Sequence, residues 1–281
     1  MKNILIPINF SFHSYDAIDY AIKFFKEEEE CHFYFLNTFT IDIDGLNAIE
    51  LLQADEDWFE NPKNESEKNL GFVIQKYLYK NRGKNHQFSA ISDCTNLIQG
   101  IKKVIEEIEI DLVVIPGKKN TNDTNEEYSK NTKRVIGNIR ECPLMIIPPS
   151  ARILIQPEFV LVSNFEEELS KTEIQKWYKL VKAAKGTIKI VTLFEKDKMT
   201  SIQKTNQNWV RLQIEMYSTL PIKMEHVDTF GELEDLVGNY SNHIICLIDK
   251  KPGFWRMLGL NNSRITKLGP SLSTPLIALH S

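Results

Sequence analysis

The two halves of the chain begin and end alike. "ILIPINF" at residues 4–10 matches "FVLVSNF" at 159–165 in its apolar run, at Asn9 and Asn164 and at Phe10 and Phe165, while "CPLMII" at 142–147 matches "TPLIAL" at 274–279 through Pro143 and Pro275. Self-similarity at this spacing means one structural unit used twice, so the fold must be one that about half of the chain can build. The expected division is 1–148 and 149–281, with the join in "PPSARILIQPEF", where Pro148, Pro149 and Pro157 disfavour helix and bias the backbone to extended conformations.

Within each half, short β-branched or aliphatic runs alternate with longer amphipathic stretches, the pattern of a parallel sheet with helical crossovers. In the first half the spacing predicts strands at Ile4–Ile8, His32–Thr38, His86–Ile91, Asp111–Ile115 and Leu144–Ile147. Between them, "SYDAIDYAIKFFKEEEE" puts Ala17, Tyr20, Ala21, Phe24 and Phe25 on one helical face, and "SEKNLGFVIQKYLYKN" does so with Leu70, Val73, Ile74, Tyr77 and Leu78. "TNLIQGIKKVIEEIEI" reads as a third helix, capped by Thr95 or Asn96, and Ser129–Arg140 as a fourth. The second half repeats this order with strands in "FVLVSNF", "TIKIVTLF", "PIKMEHV", "HIICLID" and "PLIAL", and helices around Leu169–Ala184, Ile202–Tyr217 and Phe230–Asn239 and after Asn262. The expected class is α/β: two tandem Rossmann-like domains, each a five-stranded, mainly parallel sheet with helices on both faces. "PLMII" and "PLIAL" would be exposed edges unless they pair, so an intrachain pseudo-dimer is expected, with a homodimer also open.

Composition removes several function classes. A net charge of −4 gives no long-range attraction for phosphate backbones or anionic lipid, so no nucleic-acid or membrane partner is expected. No stretch approaches the roughly 18 apolar residues of a membrane span, and the N-terminal run is too short for a signal sequence, which together point to a cytoplasmic protein. Cys31, Cys94, Cys142 and Cys246 lie far apart with no CxxC and no His pair at ligand spacing, so buried free thiols are expected and no metal site. His13, His32, His86, His226, His243 and His280 are scattered with no nucleophile motif beside them, and no catalytic residue is assigned. Two segments are left over. The acidic insert at 41–66 carries Leu46, Ile49, Leu52 and Trp58 and reads as a solvated connection with one short helix, or a lid or docking arm. "PGFWRMLGL" at 252–260 reads as local packing that plugs a pocket, or as a partner contact.

"ILIPINFSFHSYDAIDYAI", "DLVVIPGKKN" and "TKRVIGNIRECPLMIIP", with "SRITKLGPSLSTPLIALH" echoing the last, resemble the universal stress protein family in its tandem form. The resemblance covers nearly the whole chain, is clearer in the first half, and implies the adenine nucleotide alpha hydrolase-like variety of the Rossmann fold. In the nucleotide-binding branch of that family, strand four is followed by Gly, two residues, Gly, nine residues, Gly and Ser or Thr, because glycines let backbone N–H groups approach phosphate oxygens at a helix N-terminus. Laid on the first half, the resemblance gives Gly117, Asn120, Lys130 and Asn131, or Ser129 and Lys130 at the last pair. Only the first glycine is kept, and Asp123, Glu126 and Glu127 oppose a polyphosphate. In the second half it gives Asp249, Pro252, Asn262 and Ser263, with Lys250, Lys251 and Arg256 nearby. Where the family's binding branch has an adenine-contacting Asp after strand one, this chain has Asn9 and Asn164; Ser11 and the backbone near Thr38 would complete the first pocket.

Two functions from different classes follow. One is a non-enzymatic, partner-binding protein of the stress response with degenerate nucleotide loops and no cofactor. The other is a switch that binds ATP or AMP in the first half through Asn9, Ser11, Thr38, Gly117, Asn120, Ser129, Lys130, Asn131 and Thr132, with slow hydrolysis.

Overall fold

The computed structural model describes residues 2–27, 30–41, 56–82, 85–117, 128–149, 151–238, 242–249, 265–266 and 273–280. The packing divides the chain into two units, Met1–Tyr15 with Glu29–Val113, and Asp16–Glu28 with Val114–Ser281. The division at 148 and 149 remains an expectation from the repeat.

In the first unit, β1 (Lys2–Pro7), β2 (Cys31–Phe39), β3 (Gln87–Cys94) and the start of β4 (Leu112–Pro116) run in the order β3-β2-β1-β4. All the pairings are parallel, for example Ile4 with Phe33, Leu5 with Val113 and Phe35 with Ala90. Each parallel step needs a crossover: α1 (Phe12–Phe24) follows β1, α2 (Glu56–Lys80) follows β2, and α3 (Leu97–Glu107) follows β3. Ile4, Leu5, Ile6, Phe33, Phe35 and Leu36 are fully buried, and the Tyr77 ring of α2 lies 5.7 Å from the Phe35 ring. The expected choice of cap at α3 resolves to Asn96, whose Oδ1 accepts from the N–H groups of Ile98 and Gln99.

α2 begins ten residues before the Ser66 expected from periodicity and runs through Pro62, so part of the acidic insert is helix. The rest of the insert, 42–55, lies outside the described residues.

The second unit contains α4 (Lys130–Asn138), β5 (Leu144–Ile147), β6 (Glu158–Ser163), α5 (Lys171–Ala183), β7 (Thr187–Leu193), α6 (Ser201–Glu215), β8 (Lys223–Val227), α7 (Phe230–Gly238), β9 (His243–Asp249) and β10 (Leu276–His280). Its strands run β5-β10-β9-β6-β7-β8. All of these pairings are parallel except β5 with β10, which run antiparallel with Leu276 opposite Ile146 and Ala278 opposite Leu144, every residue of both strands buried. Trp177 of α5 is fully buried, its indole N–H directed at Cys246 Sγ at 3.1 Å, and burial pushes that thiol up to about 12. Cys31, Cys94, Cys142 and Cys246 are all free thiols, Cys94 exposed and the others buried. Among the described residues no helix is long and apolar enough to cross a membrane.

Candidate functional site

In doubly wound sheets, ligands bind at the C-terminal ends of the strands, so the turns leaving β1 and β6 come first. After β1, Asn9 Oδ1 accepts from the backbone N–H of Ser11 at 3.3 Å and from the hydroxyls of Ser11 and Ser14, each at 2.7 Å, while Ser14 Oγ accepts from the Asn9 N–H at 3.3 Å. Asn9 and Ser11 are thus brought together, with Asn9 organising the strand-to-helix turn. The next residue, Phe10, has φ 58°, in the left-handed region that an aromatic side chain disfavours by roughly 1 kcal/mol. Asn37 of β2 reaches across to the residue after β1 and donates from Nδ2 to the Ile8 carbonyl at 2.8 Å. Thr38 is spent on packing: a Cβ placed on Gly100 of α3 would lie 2.6 Å from its methyl group.

The turn after β6 repeats the backbone and changes the surroundings. Phe165, the counterpart of Phe10, has φ 53°, so the repeat read from letters extends to a shared strained residue. Here the polar groups are taken by α6. Gln203 Nε2 donates to the Asn164 carbonyl at 2.9 Å, Asn206 Nδ2 to the Phe165 carbonyl at 3.0 Å, and Trp209 Nε1 to the Leu169 carbonyl at 3.3 Å. Gln207 Nε2 donates to Thr192 Oγ1 at the end of β7 at 2.5 Å. Gln203 is itself fixed by a capping box, its Oε1 accepting from the Thr200 N–H at 2.9 Å while Thr200 Oγ1 accepts from the Gln203 N–H. Sequence reasoning missed these amides. The signal lies in "SIQKTNQNWV", where Gln203, Asn206 and Gln207 stand at i, i+3 and i+4, the stripe an amphipathic helix normally fills with apolar residues.

At the end of β4, the Gly117 N–H donates to the Ile147 carbonyl at 2.6 Å, and a Cβ on Gly117 would meet Ile146 at 3.1 Å, Ile147 O at 3.2 Å and the Tyr128 ring at 3.3 Å. A side chain at 117 would make these neighbours give by a few tenths of an ångström, so the close approach favours glycine. Tyr128 is 3% exposed, and burial drives its phenol well above the ordinary range. Ser129 caps α4, accepting from the Thr132 N–H; the two hydroxyls are 3.0 Å apart, and Thr132 donates to the Pro116 carbonyl at 3.3 Å. Lys130 and Asn131 stand exposed on the first turn. Ser129 and Thr132 are therefore brought together beside the end of β4. Asn120, Asp123, Glu126 and Glu127 lie outside the described residues, as do Lys250, Lys251, Pro252, Phe254–Leu258, Asn262 and Ser263 of the second half.

Two further polar clusters belong to the second unit. Glu158 on β6 contacts Lys223 at 2.7 Å, His243 at 3.0 Å and Lys189 at 3.4 Å, and Lys189 also contacts Glu225 at 3.1 Å. Burial works against ionisation of Glu158, but the hydrogen bond and charge of Lys223 and the charge of Lys189 outweigh it and hold the carboxyl below its usual range. Burial lowers His243 despite the pull of Glu158, which keeps the ring neutral at pH 7. The second is Glu173 at the start of α5. Its carboxyl accepts from the His280 N–H at 3.3 Å and is raised to about 7 by burial, against the pull of that bond and of Lys176 and Arg140. Among the described residues no group of three or more His, Cys, Asp or Glu side chains is placed to hold a metal ion.

No protein-family model matches the sequence, and no curated protein matches it either. Solved structures do match along the whole chain. A universal stress protein from Archaeoglobus fulgidus DSM 4304 is 15% identical with TM-score 0.62, covering 99% of this chain and 96% of that one. A putative universal stress protein from Pseudomonas aeruginosa UCBPP-PA14 is 10% identical with TM-score 0.56, covering 100% and 93%. The cytoplasmic domain of a prokaryotic cation chloride cotransporter is 12% identical with TM-score 0.52, covering 99% and 94%. The fold read from the sequence is the fold of these proteins: mostly parallel, Rossmann-like and of universal stress protein type.

Proposed function

We propose that this chain is a tandem universal stress protein that serves the stress response in the cytoplasm by binding protein partners, without catalysing a reaction. The observation that carries this reading is the occupation of the β6 turn by α6: the carbonyls of Asn164 and Phe165, at the C-terminal end of the strand, already accept from Gln203 and Asn206. The first half supports it in a second way. Asn9 Oδ1 is engaged by Ser11 and Ser14, and Gly117 is explained by its approach to Ile147 and Tyr128, so both have duties in the fold that need no nucleotide. That one fold neighbour is a domain of a cotransporter fits a fold used outside enzymes.

The second reading, an ATP- or AMP-binding switch in the first half, is favoured by one feature. Ser129 caps α4 while Lys130 and Asn131 stand exposed on its first turn, so a cation accompanies the positive end of a helix. To separate the two, the native protein is denatured and the supernatant analysed by mass spectrometry for adenine nucleotides, and the stripped protein is titrated with Mg-ATP by calorimetry. The partner-binding reading expects neither nucleotide nor heat. Stoichiometric nucleotide, or micromolar affinity lost in Lys130→Glu, would replace it with the switch.

A further inference from the structure

We infer that the outer edge of β8 is a self-association surface, on which β8 of a second copy of this chain pairs antiparallel about a two-fold axis through Met224. β8 ends the strand order of its unit, with β7 as its neighbour. The Val227 carbonyl accepts from the Phe194 N–H at 3.0 Å on the β7 side. Backbone groups alternate along a strand, so Lys223, Glu225 and Val227 turn theirs towards β7, while Met224 and His226 turn theirs outward.

The side chains divide in the same rhythm. Lys223 is in register with Lys189 and Glu225 with Val191, which places them on one face, where Lys223 meets Glu158 and Glu225 meets Lys189. Met224 is in register with Ile190, on the face of Thr192, whose hydroxyl receives Gln207 of α6. On that face Met224 itself is 42% exposed. Among the described residues no strand pairs with the outer edge of β8.

Charge complementarity identifies the occupant. With the axis through Met224, Lys223 of each copy stands opposite Glu225 of the other, and Met224 meets Met224. Because the outward backbone groups belong to Met224, the Met224 pair exchanges both hydrogen bonds, and the Lys223 and Glu225 pairs fall at the closer, non-hydrogen-bonded positions. An axis through Glu225 would instead set the two glutamates against each other and leave Lys223 opposite Val227, so charge selects one register. A lysine on an edge strand ordinarily keeps other strands away. Here Lys223 already lies 2.7 Å from Glu158 and Glu225 3.1 Å from Lys189, and the second copy adds a second opposite charge to each while pairing the outward backbone groups of Met224.

Sedimentation equilibrium of the full chain tests this. The expected result is a reversible dimer with a dissociation constant in the micromolar range, weakened roughly tenfold or more by Lys223→Glu or by Glu225→Lys, since each reverses both symmetric pairs. The double variant K223E/E225K restores the dimer, because each new glutamate meets a new lysine. Should a single charge variant fail to fold by circular dichroism, Met224→Pro carries the same test, removing an outward N–H while leaving the bonds to β7. A monomer at all accessible concentrations would overturn the inference, as would a dimer indifferent to the single changes or a double variant no tighter than they are.

Discussion

Gln203 Nε2 lies 2.9 Å from the carbonyl oxygen of Asn164, and both residues are buried. A helix that begins after β7 thereby satisfies a backbone acceptor at the end of β6. Gln203→Ala removes the donor, the capping-box acceptor and the packing at once. It should destabilise the protein by about 2 kcal/mol in urea unfolding.

The two left-handed phenylalanines share a backbone and differ in burial: Phe165 is 1% exposed, whereas Phe10 is only partly buried. Glycine relieves the same strain at either site. Phe10→Gly is expected to stay within about 1 kcal/mol of the parent, while Phe165→Gly loses at least about 3 kcal/mol because the buried ring goes with it. Equal losses at the two sites would mean that the strain, not the ring, governs both.

Gly117→Ala should cost about 1–2 kcal/mol, because one of the crowding atoms is the Ile147 carbonyl, which a side-chain rotation cannot clear. The reading needs no nucleotide, so the loss should be the same with and without Mg-ATP in a thermal melt.

Glu173 ties stability to pH. Its folded-state value is raised from 4.5 to about 7, so the folded chain holds this proton more tightly than the unfolded one. Its contribution is fully present below pH 4.5, declines as pH rises towards 7, and is lost above that. Glu173→Gln removes the penalty while its amide oxygen still accepts from His280, and should gain up to about 3 kcal/mol over the parent at pH 8 and little at pH 4.5. Parallel stability curves for the two proteins would show that the carboxyl is not the cause.

Much of this architecture was legible in the letters. Asn9 with Asn164 and Phe10 with Phe165 announced a repeated turn, because strand alternation and helical periodicity are local properties that each half states for itself. What was not legible depends on register or on distant partners. Glu158, Lys189, Lys223 and His243 come from four strands and become one cluster only when those strands pair. Gln203 and Asn206 were not singled out because the carbonyls they serve lie some forty residues earlier. The early start of α2 was hidden by Pro62, which reads as a breaker but is carried inside a long helix.

The antiparallel seam between β5 and β10 also has a timetable. Leu144–Ile147 leave the ribosome early, and Leu276–His280 arrive after the whole second half has been made. Until then the nascent chain presents an apolar strand with one side open to any other extended segment, including the same strand on a neighbouring nascent chain. A message broken before the codon for Leu276 would leave that opening permanent, so truncated products should be insoluble even when their β1–β4 region has folded.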